Sequence, residues 1–273
     1  MKRIYRVMIN VFAAVMLFCM SLGLTACEDI KTLEVKISAD GAEYTLTVDL
    51  YRHLAPKTVD KIMGYVNDGY YNETVFYKMD GYDSQLMIGD LKVENGEIVQ
   101  NALLDEIYGE FESNGTKGSN LTSSSGSIGL WRSWYAHDDS YTTSSAARDS
   151  GRATWFIPTA DISGYKGYFC IFAQYDTADT DNSDAITAIT DIFADEDKYS
   201  EYYIYYTGEY NAEDAKNNYG LTFHCVPADE YDADAIDNLF VADDKENQLV
   251  QYNAVKVDIP VGFSAKILSI TVK

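Results

Sequence analysis

The clearest hydrophobic pattern in the chain is a period of two. Tyr44, Leu46, Val48 and Leu50 alternate with Thr45, Thr47, Asp49 and Tyr51, as in a strand with one buried face. Glu34–Ser38, rich in β-formers, precedes it, and Gly41 lies in the intervening turn. The period then changes. Val59, Ile62, Met63 and Val66 fall at helical spacing behind Pro56, which suits a first helical turn, and Gly69 fits a C-terminal cap. Further strands are predicted at Val75–Met79, Gly126–Trp131, Ala153–Ile157, Tyr168–Tyr175 and Ser264–Val272. Ala185, Ile186, Ile189 and Phe193 share one face of a second helix over Asp184–Phe193. Residues 113–125 and 133–151 are polar loops. Residues 196–255 differ in character: they are acidic, carry Tyr199, Tyr202, Tyr203, Tyr205, Tyr206 and Tyr210, and read as an insertion before the last strand. Many strands with two helices predict a mainly β fold, a closed antiparallel barrel capped by helices.

The N-terminus follows different rules. Lys2, Arg3 and Arg6 precede an uncharged, mostly apolar run from Val11 to Leu24, the pattern of an export signal and short for a membrane span. It ends in Leu24-Thr25-Ala26-Cys27, which resembles a bacterial lipobox. On that reading residues 1–26 are removed, Cys27 carries diacylglycerol and acyl (palmitate) chains, and residues 27–33 form a short tether. The alternative is an ordinary signal peptide cut near Ala26, with Cys27 incidental.

Composition narrows the function. The 273 residues include 43 acidic and 21 basic side chains, a formal charge of −22 with pI near 4.3. Loss of residues 1–26 removes three basic and no acidic residues and takes the charge to −25. Nucleic-acid binding is disfavoured, because phosphate recognition needs a basic footprint. An acidic protein gains nothing electrostatically from an anionic membrane, so lipid at Cys27 is the expected anchor. Beyond Cys19 and Cys27 only Cys170 and Cys225 remain, and both a disulfide and two free thiols are open. Asp176–Asp184 invites a calcium reading. Aligned on Asp179, however, it lacks glycine at the sixth position and an acid at the twelfth, where Thr190 stands, and a solvated acidic loop is preferred. His53, His137 and His224 have no metal-ligand spacing, and no nucleophile elbow occurs. No metal or cofactor is expected. The sequons at Asn72, Asn114 and Asn120 are read as chance behind a lipobox.

The order of elements also carries a resemblance. Tyr44–Tyr51, Ala55-Pro56-Lys57-Thr58-Val59, Gly69-Tyr70-Tyr71 and Thr74-Val75-Phe76-Tyr77-Lys78 resemble the cyclophilin-type peptidyl-prolyl isomerases. In that family a strand leads to an Ala-Pro-x-Thr-Val helix, a Gly-aromatic-Tyr turn and a Phe-His-Arg strand. Gly89-Asp90, Tyr108-Gly109-Glu110-Phe111, Gly126–Ser133, Ala153–Ile157, Gly167–Ala173 and Ala265–Val272 follow in the family's order. The resemblance covers residues 34–195 and 256–273. It implies a cyclophilin-like domain over 34–273, interrupted by 196–255.

Rotation about a peptide bond costs about 18–20 kcal/mol in lost resonance. Its catalysis needs an apolar grip on the proline ring and stabilisation of the twisted amide, with no nucleophile. Family resemblance maps the catalytic roles onto Lys78, at the arginine position, Gln85 and Phe156. Lysine lacks the guanidinium fork. Lys78 also reads as a solvated strand residue and Phe156 as an ordinary core phenylalanine. Either Gln85 takes the family glutamine's role through a shifted register, or Met87 fills its place. Substrate-binding positions map to Tyr82, Met87, Trp131, Thr154, Tyr165 and Phe169, with Gly164 where a tryptophan is sometimes found. The implied activity is prolyl isomerisation of exported proteins by a lipid-anchored monomer outside the cytoplasm. The alternative is a module of the same fold that binds Pro-containing or extended peptides without turnover. A transporter's solute-binding lipoprotein is disfavoured, since no two α/β lobes are patterned.

Overall fold

The computed structural model describes residues 31–116, 123–132, 150–162, 167–207, 221–233 and 254–273. The expected export signal, Cys27, Tyr165 and Gly164, His137, and much of the expected polar loops and of the expected insertion lie outside the described residues. The described fold is mainly β, with two α-helices. None of its helices is long and apolar enough to cross a membrane.

Strands β1 (Lys31–Ala39) and β2 (Ala42–Leu50) form a hairpin in full register, from Lys31↔Leu50 to Ala39↔Ala42. Its two turn residues, Asp40 and Gly41, have φ of 50° and 82°, the left-handed pair that lets a two-residue turn follow the strand twist. Leu33, Val35 and Ile37 of β1 and Leu46, Val48 and Leu50 of β2 point to one side and are buried. The expected alternation is thus the inner face of a sheet.

Helix α1 (Pro56–Asn67) buries Thr58, Val59, Ile62 and Val66. Its N-cap residue, Ala55, offers no side-chain acceptor. Glu110 replaces it from a distant loop: its Oε1 and Oε2 accept the N–H groups of Lys57 (3.1 Å) and Thr58 (2.7 Å). A carboxylate there satisfies orphan donors and complements the helix dipole.

Next come β3 (Lys78–Met79), β4 (Gln85–Ile88) and a hairpin of β5 (Leu91–Glu94) and β6 (Glu97–Gln100). They are followed by β7 (Ser127–Leu130), β8 (Trp155–Pro158) and β9 (Cys170–Gln174). Helix α2 runs Thr180–Phe193, starting four residues before the expected Asp184. Asp179 caps it, accepting the Asn182 N–H at 3.1 Å. The acidic run expected as a loop therefore supplies the helix's cap and first turn. The chain ends with β10 (Tyr199–Thr207), β11 (Thr222–Pro227), β12 (Val255–Pro260) and β13 (Ala265–Val272).

Seven strands make one curled antiparallel sheet in the order β13-β1-β2-β9-β7-β8-β4. The extended segment Thr74–Tyr77 bonds both of its edges. Phe76 N–H donates to Ala265 and Ile267 N–H to Thr74 on the β13 side, while Tyr77 and Met87 exchange bonds of 3.0 and 2.8 Å on the β4 side. The concave face packs with α1 and α2 into the main core, which holds Leu46, Leu86, Ile88, Ile128, Trp155 and Phe172.

The intervening residues of the same strands form a second buried cluster: Val75, Tyr77, Met87, Leu91, Phe156, Phe169 and Ile171. Their cover is a four-stranded sheet in the order β11-β10-β12-β3. Val257 and Ile259 of β12 are buried in this second cluster, and Tyr202, Ile204, Phe223 and Cys225 pack against it. The opposite face of that sheet carries Tyr203 stacked on Tyr231 (4.0 Å) and Tyr205 stacked on His224 (4.8 Å). Part of the tyrosine-rich insertion is therefore ordered two-faced sheet.

Candidate functional site

The second cluster contains most of the residues that the sequence singles out. Phe156, in β8, stands opposite Met87 of β4 and Gly129 of β7. Gly129 makes room for it: a Cβ there would lie 2.2 Å from Phe156 Cζ. From Phe156 a chain of rings runs outward. Phe169 is 4.9 Å from Phe156, Trp131 stacks on Phe169 at 5.6 Å, and Tyr82 meets Trp131 edge-on at 4.9 Å. Residues far apart in sequence thus build one aromatic wall: Phe156 points away from the main core within β8, and Phe169, Trp131 and Tyr82 flank the ends of β9, β7 and β4.

Gln85 lies one pleat from Met87 on the same side of β4 and is 2% exposed. The register puts Met87, not Gln85, beside Phe156. Gln85 Oε1 is buried without a hydrogen-bond partner among the described residues. Thr154 is half-buried, and its carbonyl accepts the Trp131 N–H at 2.8 Å.

Lys78 does not join this group. Tyr77 belongs to the cluster and Met79 packs against it, whereas Lys78, between them, lies with its ammonium 5.6 Å from the Phe193 ring centroid. On β3 it pairs with Asp258 of β12. The pleat explains this placement: successive side chains take opposite sides, so a lysine flanked by two cluster residues points away.

The centre of the group is closed to solvent. Phe156 and Met87 are 0% exposed and Phe169 is 2% exposed. An open proline pocket needs these faces in solvent; here they are buried in one cluster with Val257 and Ile259 of β12.

Beside the wall is a cavity of about 230 Å³, lined by Trp131, Thr154, Asp90, Arg132, Arg152 and Tyr206 among others. Tyr77 Oη donates to both carboxylate oxygens of Asp90 at 3.0 Å. Burial nonetheless raises the Asp90 carboxyl to about 6, against that hydrogen bond. Burial also raises the Tyr206 phenol, whose oxygen accepts from Gln100 Nε2 at 2.7 Å. Arg132, 3% exposed, donates from Nε to the Tyr168 carbonyl (2.8 Å), and its guanidinium lies over Phe111 and Phe169. Sequence reading passed over Asp90, Arg132 and Tyr206 as site residues. Arg132's position directly after Trp131 was the available signal.

The thiols are free. Cys170 sits in the main core beside Thr58 Oγ1 (3.3 Å) and Cys225 packs on the second cluster. Burial pushes both up to about 12, which suits inert packing. The described residues hold no group of three or more His, Cys, Asp or Glu able to bind a metal. The wall itself offers apolar ring faces and one amide. That inventory can hold a hydrophobic ring and orient a backbone, and it carries no acid–base pair.

Curated proteins contain no sequence match to this chain. A solved cyclophilin type peptidyl-prolyl cis-trans isomerase of Cryptosporidium parvum is similar at 14% identity and TM-score 0.40, over 59% of this chain and 83% of that one. The same protein's structure in the presence of the dipeptide Ala-Pro is similar at 15% identity and TM-score 0.36, over 55% of this chain and 84% of that one. The family model for cyclophilin type peptidyl-prolyl cis-trans isomerase/CLD matches residues 33–207. That match spans more than half of the sequence and includes α1, the ring wall and α2, so the chain belongs to the cyclophilin-type peptidyl-prolyl isomerase family.

Proposed function

We propose that this protein isomerises X-Pro bonds of exported polypeptides while held by lipid at the outer face of a bacterial membrane. Family membership implies peptidyl-prolyl isomerase activity. The observation that carries the reading at the site is the continuous ring wall Tyr82–Trp131–Phe169–Phe156. Phe156 holds the proline ring, Met87 forms the floor beside it, and Gln85 orients the peptide through its unpartnered amide oxygen. Proline rings pack well on aromatic faces. Lys78 lies outside this machinery and adds only charge at the β3 end.

In the same reading residues 1–26 are cleaved, Cys27 is acylated and residues 27–33 tether the domain. Residues 34–273 form one monomeric cyclophilin-like domain whose segment Thr74–Tyr77 closes the sheet into a barrel, with 196–255 inserted. The sequence pattern Leu24-Thr25-Ala26-Cys27 supports the anchor, and metabolic labelling with an acyl analogue tests it: Cys27→Ala must abolish incorporation.

Exchange NMR of a tetrapeptide with a central Ala-Pro bond tests the activity, using the full chain in detergent. Cis–trans exchange broadening is expected, and Phe156→Ala is expected to remove it. No broadening at high protein concentration sinks the isomerase reading. The second reading, peptide binding without turnover, is favoured by the absence of a guanidinium fork at the arginine position. Saturating peptide shifts without broadening would establish it.

A further inference from the structure

The inner end of the wall proposed above to hold proline, Phe156 and Phe169, is buried in one cluster with Val257 and Ile259 of the chain's own second sheet. Three observations bear on what this cover does. The sheet is bound more extensively within itself than to the barrel. Strand β10 pairs with β11 from Tyr202↔Pro227 to Thr207↔Thr222, and with β12 from Tyr199↔Pro260 to Ile204↔Val255. Among the described residues its ladder to β3 consists of Met79↔Val257 and Lys78↔Asp258. Such a body can separate as a unit at its shortest ladder.

The second observation is on the Met87 side of β4. Gln85 Oε1 is buried with no hydrogen-bond partner among the described residues. A buried acceptor left unmade costs about 1–3 kcal/mol, so a permanent core is expected to satisfy it or replace it. A peptide N–H entering the groove would satisfy it. The third is a polar latch at the cover's edge: Gln100 Nε2 of β6 donates to Tyr206 Oη of β10 at 2.7 Å. One hydrogen bond at a rim holds a position that can also be given up.

We infer that β10–β11–β12 is an intramolecular cover seated on the peptide groove, and that peptide reaches Phe156 only when this sheet leaves β3. The apolar faces of Val257 and Ile259 then occupy the place that a proline-containing segment takes in the open state. The inference rests on the isomerase or peptide-binding reading of the same wall.

A reversible cross-link tests it. Asp80 N–H donates to the Lys256 carbonyl at 3.0 Å, which makes Met79↔Val257 a non-hydrogen-bonded pair. Such pairs have Cα atoms about 4.5 Å apart, within the reach of a disulfide. Met79→Cys/Val257→Cys, made in the full chain with Cys225→Ala to remove the neighbouring thiol, is titrated with the Ala-Pro tetrapeptide in detergent, oxidised and then reduced. Oxidation is expected to lower both saturable peptide shifts and exchange broadening at least tenfold, and reductant to restore them, which also shows that the variant folds. Tyr206→Phe, which removes the latch, is expected to raise peptide occupancy several-fold. Equal binding by the oxidised and reduced forms would overturn the cover. So would absence of binding by wild type, the reduced variant and Tyr206→Phe alike, since the sheet would then be permanent core. If the reduced form binds reversibly but shows no broadening, the cover stands and the isomerase reading alone falls.

Discussion

Gly129→Ala tests whether the ring wall is built as described. Gly129 stands in β7 opposite Phe156, and its backbone lies outside the left-handed region, so alanine meets no conformational penalty there. The new Cβ would sit 2.2 Å from Phe156 Cζ, 2.3 Å from Cε1 and 3.0 Å from Ile171 Cδ1. Carbon atoms rest at about 3.5–4.0 Å, so the ring must retreat by more than about 1 Å. It has no free space to enter: Phe156 is 0% exposed, with Met87 paired opposite and Phe169 at 4.9 Å. Overpacking of this kind costs about 1–3 kcal/mol. The lower chain entropy of unfolded alanine returns about 0.4–1 kcal/mol, leaving a net loss on the order of 1–2 kcal/mol. Equilibrium urea unfolding followed by tryptophan fluorescence reads this directly. Gly64→Ala is the control, because that exposed position in α1 has nothing within 4 Å of an added Cβ. It should stabilise by about 0.5–1 kcal/mol. The displaced ring should also cut saturation of the Ala-Pro peptide. A Gly129→Ala protein as stable as wild type within about 0.5 kcal/mol would refute the packing argument.

Glu110→Ala should destabilise by about 2–3 kcal/mol, since it removes two charge-assisted bonds and leaves the start of α1 without its acceptor; a loss below about 1 kcal/mol in the same urea assay contradicts that role. Asp90 gives a pH signature: its folded value is raised to about 6 from 3.8, so the folded state holds the proton more tightly. Stability from this group is therefore full below about pH 4 and declines as pH rises to about 6. Asp90→Asn should flatten that decline and gain on the order of 1–2 kcal/mol at pH 7, and unchanged pH dependence of urea midpoints would count against it. Lys78→Ala should leave peptide exchange within about twofold, because Lys78 faces Phe193 and not the wall; a tenfold loss would return Lys78 to the site.

Local chemistry wrote much of the seven-stranded sheet into the sequence. The alternation of Leu46, Val48 and Leu50 specified a strand with one dry face, and Val59, Ile62 and Val66 specified the buried face of α1, because each pattern follows the element's own period. The strands β4, β7 and β8 were less informative. They are buried on both sides, so their runs show no period-two alternation and do not name what covers the second face. A positional resemblance could also place Phe156, Trp131 and Phe169 in one list, but it could not orient Lys78. That required the pleat of β3 and its pairing with Asp258.

The sequence by itself therefore determined β1, β2, α1, β7, β8, β9, β13 and most of α2, the family resemblance and the stock of aromatic side chains, whereas β4–β6 and β10–β12 went unread. Tertiary structure decided the rest: that Glu110 caps α1 from a remote loop, that Gly129 yields its Cβ space to Phe156, and that Val257 and Ile259 are buried in one cluster with Phe156 and Phe169. These outcomes depend on pairs of residues separated by tens of positions, and a one-dimensional pattern carries no record of which surface meets which. Burial of two complementary apolar faces settles that only once the chain has folded.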